Sequence, residues 1–196
     1  ANSNCRGNAS YCNGEFVYRP NLAKAAFREG VVATSDNLAN GDQSPRLRAG
    51  NGRVASVTFG HFSPYVICGD PADDANPMTG PATGGFLIGG HAVGSVRLAI
   101  SADQGQTWQS VDELSGSFER DLTDLVKGRY GWQARFEWNG DGGLDDLAFT
   151  TVTQVCQAIY PRLKAGGTTV TYRAASQAVV PVLPNWGLPE DQATQY

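Results

Sequence analysis

The sequence predicts an all-β, jelly-roll-like β-sandwich with one or two short helices. Alternation of apolar and polar residues with a period of two dominates the chain, and Gly, Pro and Asp turns separate the alternating segments. Many short strands with almost no helix are typical of sandwich folds. The predicted strands are residues 53–60, 63–69, 95–101, 107–113, 130–138, 147–156 and 168–174.

Helix signals occur in two segments, residues 21–30, where Gly30 would end the helix, and residues 118–126. The longest irregular segment, residues 69–85, does not fit a sheet, and we expect it to be functional or held by a metal. A chain of 196 residues suggests one domain. We assign the sandwich to residues 1–173 and a Pro-rich tail or linker to residues 174–196.

The composition of the chain limits the classes of partner that we expect it to bind. The net charge is −4, and no Lys/Arg cluster is present that would track a phosphate backbone, so we expect no nucleic acid partner. No apolar run approaches the roughly 20 residues of a membrane span. Four Cys in a Gly-rich, Lys-poor chain favour two disulfides in a secreted protein. Of the three possible pairings we prefer Cys5–Cys12 with Cys68–Cys156.

Residues 100–111, ISADQGQTWQSV, contain the spacing S-x-D-x-G-x-T-W. Asp103 can accept hydrogen bonds from turn N–H groups, Gly105 supplies positive φ, and Trp108 can pack in the hydrophobic layer beneath the turn. This motif resembles the Asp box, a hairpin of sialidases and of other secreted β-proteins, many of them carbohydrate-active. The resemblance implies a structural role, so we expect Asp103→Ala to lower stability and spare any ligand affinity.

A more diffuse resemblance covers residues 60–173, in the order SPYVICG, VRLAISADQGQTW, GRYGWQARFEW, GLDDLAFTTVTQ and YPRLKAGGTTVTY. It is similar to β-sandwich modules of large secreted bacterial proteins that act on polysaccharides, and no catalytic residues accompany it. It implies a non-catalytic carbohydrate-binding or accessory module, located outside the cell and joined to other domains of a larger chain. We expect a monomer with a polysaccharide or glycan as its partner.

The candidate ligand face follows from residues 130–138. Tyr130, Trp132, Phe136 and Trp138 lie on one side of this strand, which we expect to face the core. The opposite side then carries planar polar groups that bind sugar hydroxyls in pairs, with further groups on neighbouring strands. The Trp186 ring either stacks against a ligand or anchors the tail to the rest of the domain. The candidate ligand-binding residues are Arg97, Gln133, Arg135, Glu137, Gln154 and Trp186.

Two Gly-rich loops concentrate carboxylates, which are the hard oxygen donors that Ca²⁺ prefers. Neither loop has the EF-hand spacing, and the alternative is a solvated turn. We expect any bound Ca²⁺ to be structural. The candidate ligands are Asp70, Asp73, Asp74, Asp141, Asp145 and Asp146.

Two other functions remain open. A small jelly-roll polysaccharide lyase or hydrolase requires His61 or His91 within hydrogen-bond reach of a Tyr or an Arg. A structural or adhesion domain of a surface protein requires neither a cleft nor glycan affinity.

Overall fold

The computed structural model describes residues 11–51, 53–71, 75 and 80–156, with only the backbone of Tyr11, Cys12, Val155 and Cys156. Strands dominate this part of the chain, which confirms the predicted all-β class. The strands are β1 Tyr11–Tyr18, β2 Val31–Thr34, β3 Leu38–Asn40, β4 Leu47–Ala49, β5 Ala55–Phe62, β6 Val66–Ile67, β7 Asp70–Pro71, β8 Ala82–Thr83, β9 Phe86–Ser101, β10 Gln109–Asp121, β11 Gly131–Trp138 and β12 Gly143–Cys156. The two short helices are a 3₁₀ helix, Ala25–Gly30, and α1, Thr123–Val126. Neither helix of the described chain has the length and apolarity that crossing a membrane requires.

Two long strands, β9 and β10, connect the two layers of the sandwich. Residues 86–93 of β9 pair with β12, whereas residues 96–101 pair with β11. Gly94 lies between these stretches with φ +66, a backbone conformation that glycine adopts without strain. β10 follows β9 along both halves, and the register shifts between the pairs Leu114–Val96 and Gly116–Ala92, so the extra residues of this bulge lie in β9, where the strand bends. One layer therefore contains β2, β5 and β11, and the other contains β1, β4 and β12.

The core lies between the layers and is rich in aromatic rings. The side chains of β11 alternate between partly exposed and buried, and Trp132, Phe136 and Trp138 all point inward. The Trp132 ring lies 4.8 Å from that of Phe149 on β12 and 4.5 Å from that of Phe86 on β9. The Trp132 indole also donates a 2.9 Å hydrogen bond to the buried Thr151 hydroxyl. The contacts with Phe149 and Thr151 join β11 to β12, and these two strands share no hydrogen-bonded ladder, so the contacts hold the two layers together.

The predicted elements are mostly right in type but differ in extent. Residues 95–101 and 107–113 are parts of the longer β9 and β10, whereas residues 63–69 form only the two-residue β6. The expectation that residues 69–85 do not fit a sheet was wrong at both ends, because β7 and β8 pair with each other there.

The helix predicted over residues 118–126 is wrong in its first part, because Phe118–Asp121 continue β10. Phe118 pairs with Gly90, whose missing side chain leaves space for the Phe118 ring, since a Cβ there would lie 3.1 Å from the Phe118 Cζ. The predicted strand at residues 168–174 and the tail at residues 174–196 lie outside the described residues.

The backbone register separates Cys68 from Cys156. Cys68 carries a free thiol, so the disulfide expected between these two residues is not formed. The Cys68 amide donates to the carbonyl of Val152 at 2.9 Å, and the β6–β12 register places Cys68 beside that residue. Four residues of strand, about 13 Å, then lie between Val152 and Cys156, and a disulfide needs Cα atoms within roughly 7 Å.

The thiol of Cys68 is a weak acid in this environment. Burial, together with the charge of Asp70, raises its pKa to about 11. Its Sγ lies 3.5 Å from the Oδ1 of Asn13. Cys5 lies outside the described residues, so the Cys5–Cys12 pairing stays a prediction.

Candidate functional site

The outer face of the β5–β11–β9 layer carries most of the predicted ligand residues. Gln133, Arg135 and Glu137 alternate with the buried residues of β11 and are partly exposed. Arg97 on β9 lies directly opposite Glu137, and directly opposite residues of an antiparallel pair point to the same side. The structure therefore brings together four of the six predicted residues.

The other two predicted residues are not on this face. Gln154 was expected on a strand next to β11, but β12 lies in the opposite layer. There Gln154 pairs with Asn13 of β1 and Val66 of β6. The expectation was wrong because β9 bends, so that β11 and β12 neighbour different halves of it. Trp186 lies outside the described residues.

Charge divides the outer face into two regions. Arg97 and Glu137 form an exposed ion pair with each other, and Glu113 accepts a hydrogen bond from Ser95 beside them. These side chains line a polar hollow of about 650 Å³. An exposed ion pair contributes little to stability, and its partners already neutralise each other. Arg135 is different, because no carboxylate of the described residues pairs with it.

The guanidinium of Arg135 instead lies over an aromatic ring. Its Cζ is 4.2 Å from the ring centroid of Trp108, the last residue of the S-x-D-x-G-x-T-W motif. The indole Nε1–H of Trp108 donates to the Gly105 carbonyl at 3.1 Å, which fixes the ring over the sheet. The sequence predicts a Trp108 packed in a hydrophobic layer, whereas its indole is half-buried against the candidate ligand face.

Residues 101–108, here called the 101–108 hairpin, are held by a compact hydrogen-bond network. The carboxylate of Asp103 accepts hydrogen bonds from the Thr107 amide at 2.9 Å, the Thr107 hydroxyl at 2.6 Å and the Ser101 hydroxyl at 2.7 Å. The Ser101 hydroxyl oxygen accepts the Gly105 amide at 2.8 Å. The hydrogen bonds from Thr107, followed by that from Ser101, lower the pKa of Asp103 to about 2. The expected turn-holding role of Asp103 is thus seen directly.

A cleft of about 250 Å³ opens between the 101–108 hairpin and the adjoining ends of β5 and β11. Phe62, with 51% of its surface exposed, lies on one side, and Gln104 of the hairpin lies on another. Gln133 also lines the cleft, and its amide hydrogen-bonds to none of the described residues. Val32 lies over Gly60, where a Cβ would approach the Val32 Cγ2 to 2.5 Å. The cleft thus combines apolar surface with polar amides, as ligand sites commonly do.

Neither described histidine has the partners that the enzyme alternative requires. His61 lines the cleft, but its ring lies 5.3 Å from that of Phe16 and 6.1 Å from that of Trp132. Its Nε2 is buried without a hydrogen-bond partner, and burial lowers the pKa of His61. The Nδ1 of His91 lies 3.3 Å from the Ser117 hydroxyl. Within the described part of the chain, therefore, no His is hydrogen-bonded to a Tyr or an Arg.

The predicted calcium ligands are dispersed. Asp145 accepts hydrogen bonds from the Ser44 hydroxyl and, at 3.0 Å, from the Arg46 amide, so its carboxylate ties the β3–β4 connection to β12. Asp145 and Asp146 line one cavity together with His91, whereas Asp141 lines the polar hollow and Asp70 is exposed in β7. Asp73 and Asp74 lie outside the described residues. Among residues that are described, no three His, Cys, Asp or Glu side chains are grouped to hold a metal ion.

Comparison with known proteins gives similarity in structure alone. No protein-family model matches the chain, and no curated protein matches it in sequence. Two solved structures of mutants of CBM29-2, a family 29 carbohydrate-binding module, are similar to it. The first, a complex with cellulohexaose, has a TM-score of 0.39 and 10% identity over 72% of this chain and 91% of that chain. The second has a TM-score of 0.38 and 11% identity over 72% and 85%.

Proposed function

We propose that this protein is a non-catalytic carbohydrate-binding module that holds a glycan in the cleft beside the 101–108 hairpin and along the adjoining outer face. One observation carries the proposal. An exposed aromatic ring, Phe62, and an unpartnered amide, Gln133, line one open cleft next to the Trp108–Arg135 stack. Sugars present both C–H faces, which pack on rings, and hydroxyl groups, which pair with planar polar groups.

The site favours binding over catalysis. Phe62 offers a ring for a sugar face, and Gln133 offers a donor and an acceptor for hydroxyl groups. The cleft contains no carboxylate pair that would serve as acid and base in glycoside hydrolysis. His61 is its titratable imidazole, and the Nε2 of that ring is buried against hydrocarbon. Tyr130 also lines the cleft, but no His of the described residues is hydrogen-bonded to a Tyr, so the His–Tyr pair that a lyase would use is not assembled there.

We further propose that the protein is exported and works within a larger polysaccharide-processing chain. The Gly-rich, Lys-poor composition and the likeness of the 101–108 hairpin to the Asp box support this setting. A structural Ca²⁺ bound by the Asp141 or Asp70 loop remains part of the proposal.

Affinity gel electrophoresis tests the proposal with hydroxyethylcellulose, xylan, galactomannan and polygalacturonate as immobilised probes. We expect at least one of them to retard the wild-type protein. Phe62→Ala should weaken that binding about tenfold, the usual cost of truncating an aromatic anchor. Val54→Ala is the control, because Val54 is also an exposed apolar side chain, at 51%, and does not line the cleft.

The outcomes separate the functions. No retardation by any probe would overturn glycan binding and favour a structural or adhesion domain. New reducing ends or unsaturated products after incubation would overturn the non-catalytic assignment. Equal loss of binding in Phe62→Ala and Val54→Ala would show that the cleft is not the site.

A further inference from the structure

We propose that the 101–108 hairpin is itself part of the ligand site and that Gln104 is a specificity-determining residue. This inference rests on the proposed glycan binding and adds a residue that the sequence pattern leaves without a role. In the spacing S-x-D-x-G-x-T-W, Gln104 occupies a position where the motif states no residue type.

The backbone at Gln104 is unusual. Among described residues other than glycine it alone has a positive φ, at 61°. Residues other than Gly, Asn and Asp adopt this left-handed backbone conformation at a cost in free energy. The following residue, Gly105, has φ +87, so two successive left-handed residues form the tip of the turn. Such residues persist where the surroundings fix them, and they are common at ligand sites.

The motif's own hydrogen bonds fix this conformation. Ser101, Asp103 and Thr107 bond to one another and to the turn backbone, and Trp108 bonds to Gly105. Gln104 takes part in none of these side-chain bonds and hydrogen-bonds to no other described side chain. Its backbone is thus held rigidly while its amide remains available. Because the turn is already fixed, binding a ligand costs no backbone ordering there, and only the rotamer freedom of the Gln104 side chain is lost.

The position of Gln104 gives this amide a partner across the cleft. Gln104 and Gln133 line the same cavity, and each amide offers donors and an acceptor. The Gln133 Oε1 lies directly under the turn, 2.9 Å from where a Cβ of Gly105 would be. Two amides that contact one sugar ring from fixed backbone positions distinguish sugars by the positions of their hydroxyl groups. A misplaced hydroxyl leaves a polar group unpaired, which is how such sites reject close analogues.

Gln104→Gly is the direct test, because glycine keeps the positive φ and removes only the side chain. Gln106→Ala is the matched control, since Gln106 is an exposed glutamine of the same turn that does not line the cleft. For the probe that binds the wild type best, we expect Gln104→Gly to raise the dissociation constant about three- to tenfold. The affinity ratio between the best and second-best probe should fall as well. Gln106→Ala should change neither value.

The results distinguish this inference from the proposed function. If the wild type binds and Gln104→Gly matches Gln106→Ala, the role of Gln104 is refuted and glycan binding stands. If the wild type binds none of hydroxyethylcellulose, xylan, galactomannan and polygalacturonate, both fail. If Gln104→Gly lowers the unfolding temperature, Gln104→Asp replaces it, because Asp tolerates the left-handed region and has no amide N–H to donate. Wild-type affinity ratios in the folded Gln104→Asp variant would again refute the role.

Discussion

Replacing Gly105 with alanine tests how the 101–108 hairpin contacts the candidate ligand face. At φ +87 an alanine costs about 1–2 kcal/mol relative to glycine. One kcal/mol corresponds to roughly 2–4 °C of unfolding temperature in a domain of this size. We therefore expect Gly105→Ala to lower the midpoint by about 2–8 °C, measured by differential scanning calorimetry. The new Cβ would also meet the Gln133 Oε1 at 2.9 Å. Because the Gln133 amide must move, glycan affinity should fall about three- to tenfold.

Gly116→Ala separates the two effects. Gly116 also has a positive φ, +65, but a Cβ there would have no neighbour within 4 Å. This variant should lose a similar amount of stability and keep the affinity of the wild type. If both variants bind glycan equally well, the contact between the hairpin and Gln133 has no part in binding. If Gly105→Ala unfolds at the wild-type temperature, the assigned backbone conformation is itself wrong.

Three further results are expected. Since the folded-state pKa of Asp103 is about 2, below its unfolded value near 3.9, its contribution to stability should be present above pH 4 and lost between about pH 4 and 2. In Asp103→Asn, acid unfolding followed by circular dichroism should lack this component, and an unchanged curve would contradict it. Cys68, with a pKa near 11, should react with iodoacetamide at pH 8 far more slowly than an unfolded thiol, and prompt labelling would refute its burial. If Ca²⁺ is structural, EDTA should lower the unfolding temperature and added CaCl₂ should restore it, whereas no shift would remove calcium from the proposal.

Local patterning made the fold class and the orientation of β11 predictable. The alternation in residues 130–138 depends only on which side chains avoid water, so Trp132 and Phe136 are buried and Gln133 and Arg135 are not. The same rule needs no knowledge of neighbouring strands. It therefore identified most of the outer face correctly from a single strand.

Strand neighbours and strand lengths were not predictable in this way. Residues 86–94 contain Gly89, Gly90 and Gly94 and resemble a loop, yet they form the first half of β9. Glycine is favoured there because other elements approach closely, and a Cβ on Gly90 would lie 2.2 Å from the carbonyl oxygen of Asp146. That constraint comes from β12, more than 50 residues away, so no local pattern records it. The misplacement of Gln154 has the same origin.

The 101–108 hairpin joins a structural turn to the proposed binding site. The sequence alone predicts that Asp103→Ala lowers stability and spares affinity, because its bonds stay within the turn. The structure confirms those bonds, but the same turn carries Trp108 onto Arg135 and presses Gly105 against Gln133. Losing the carboxylate would loosen the support of both contacts together. We therefore expect Asp103→Ala to weaken glycan binding even at temperatures where the protein remains folded, whereas wild-type affinity in the folded variant would confine the hairpin to a structural role.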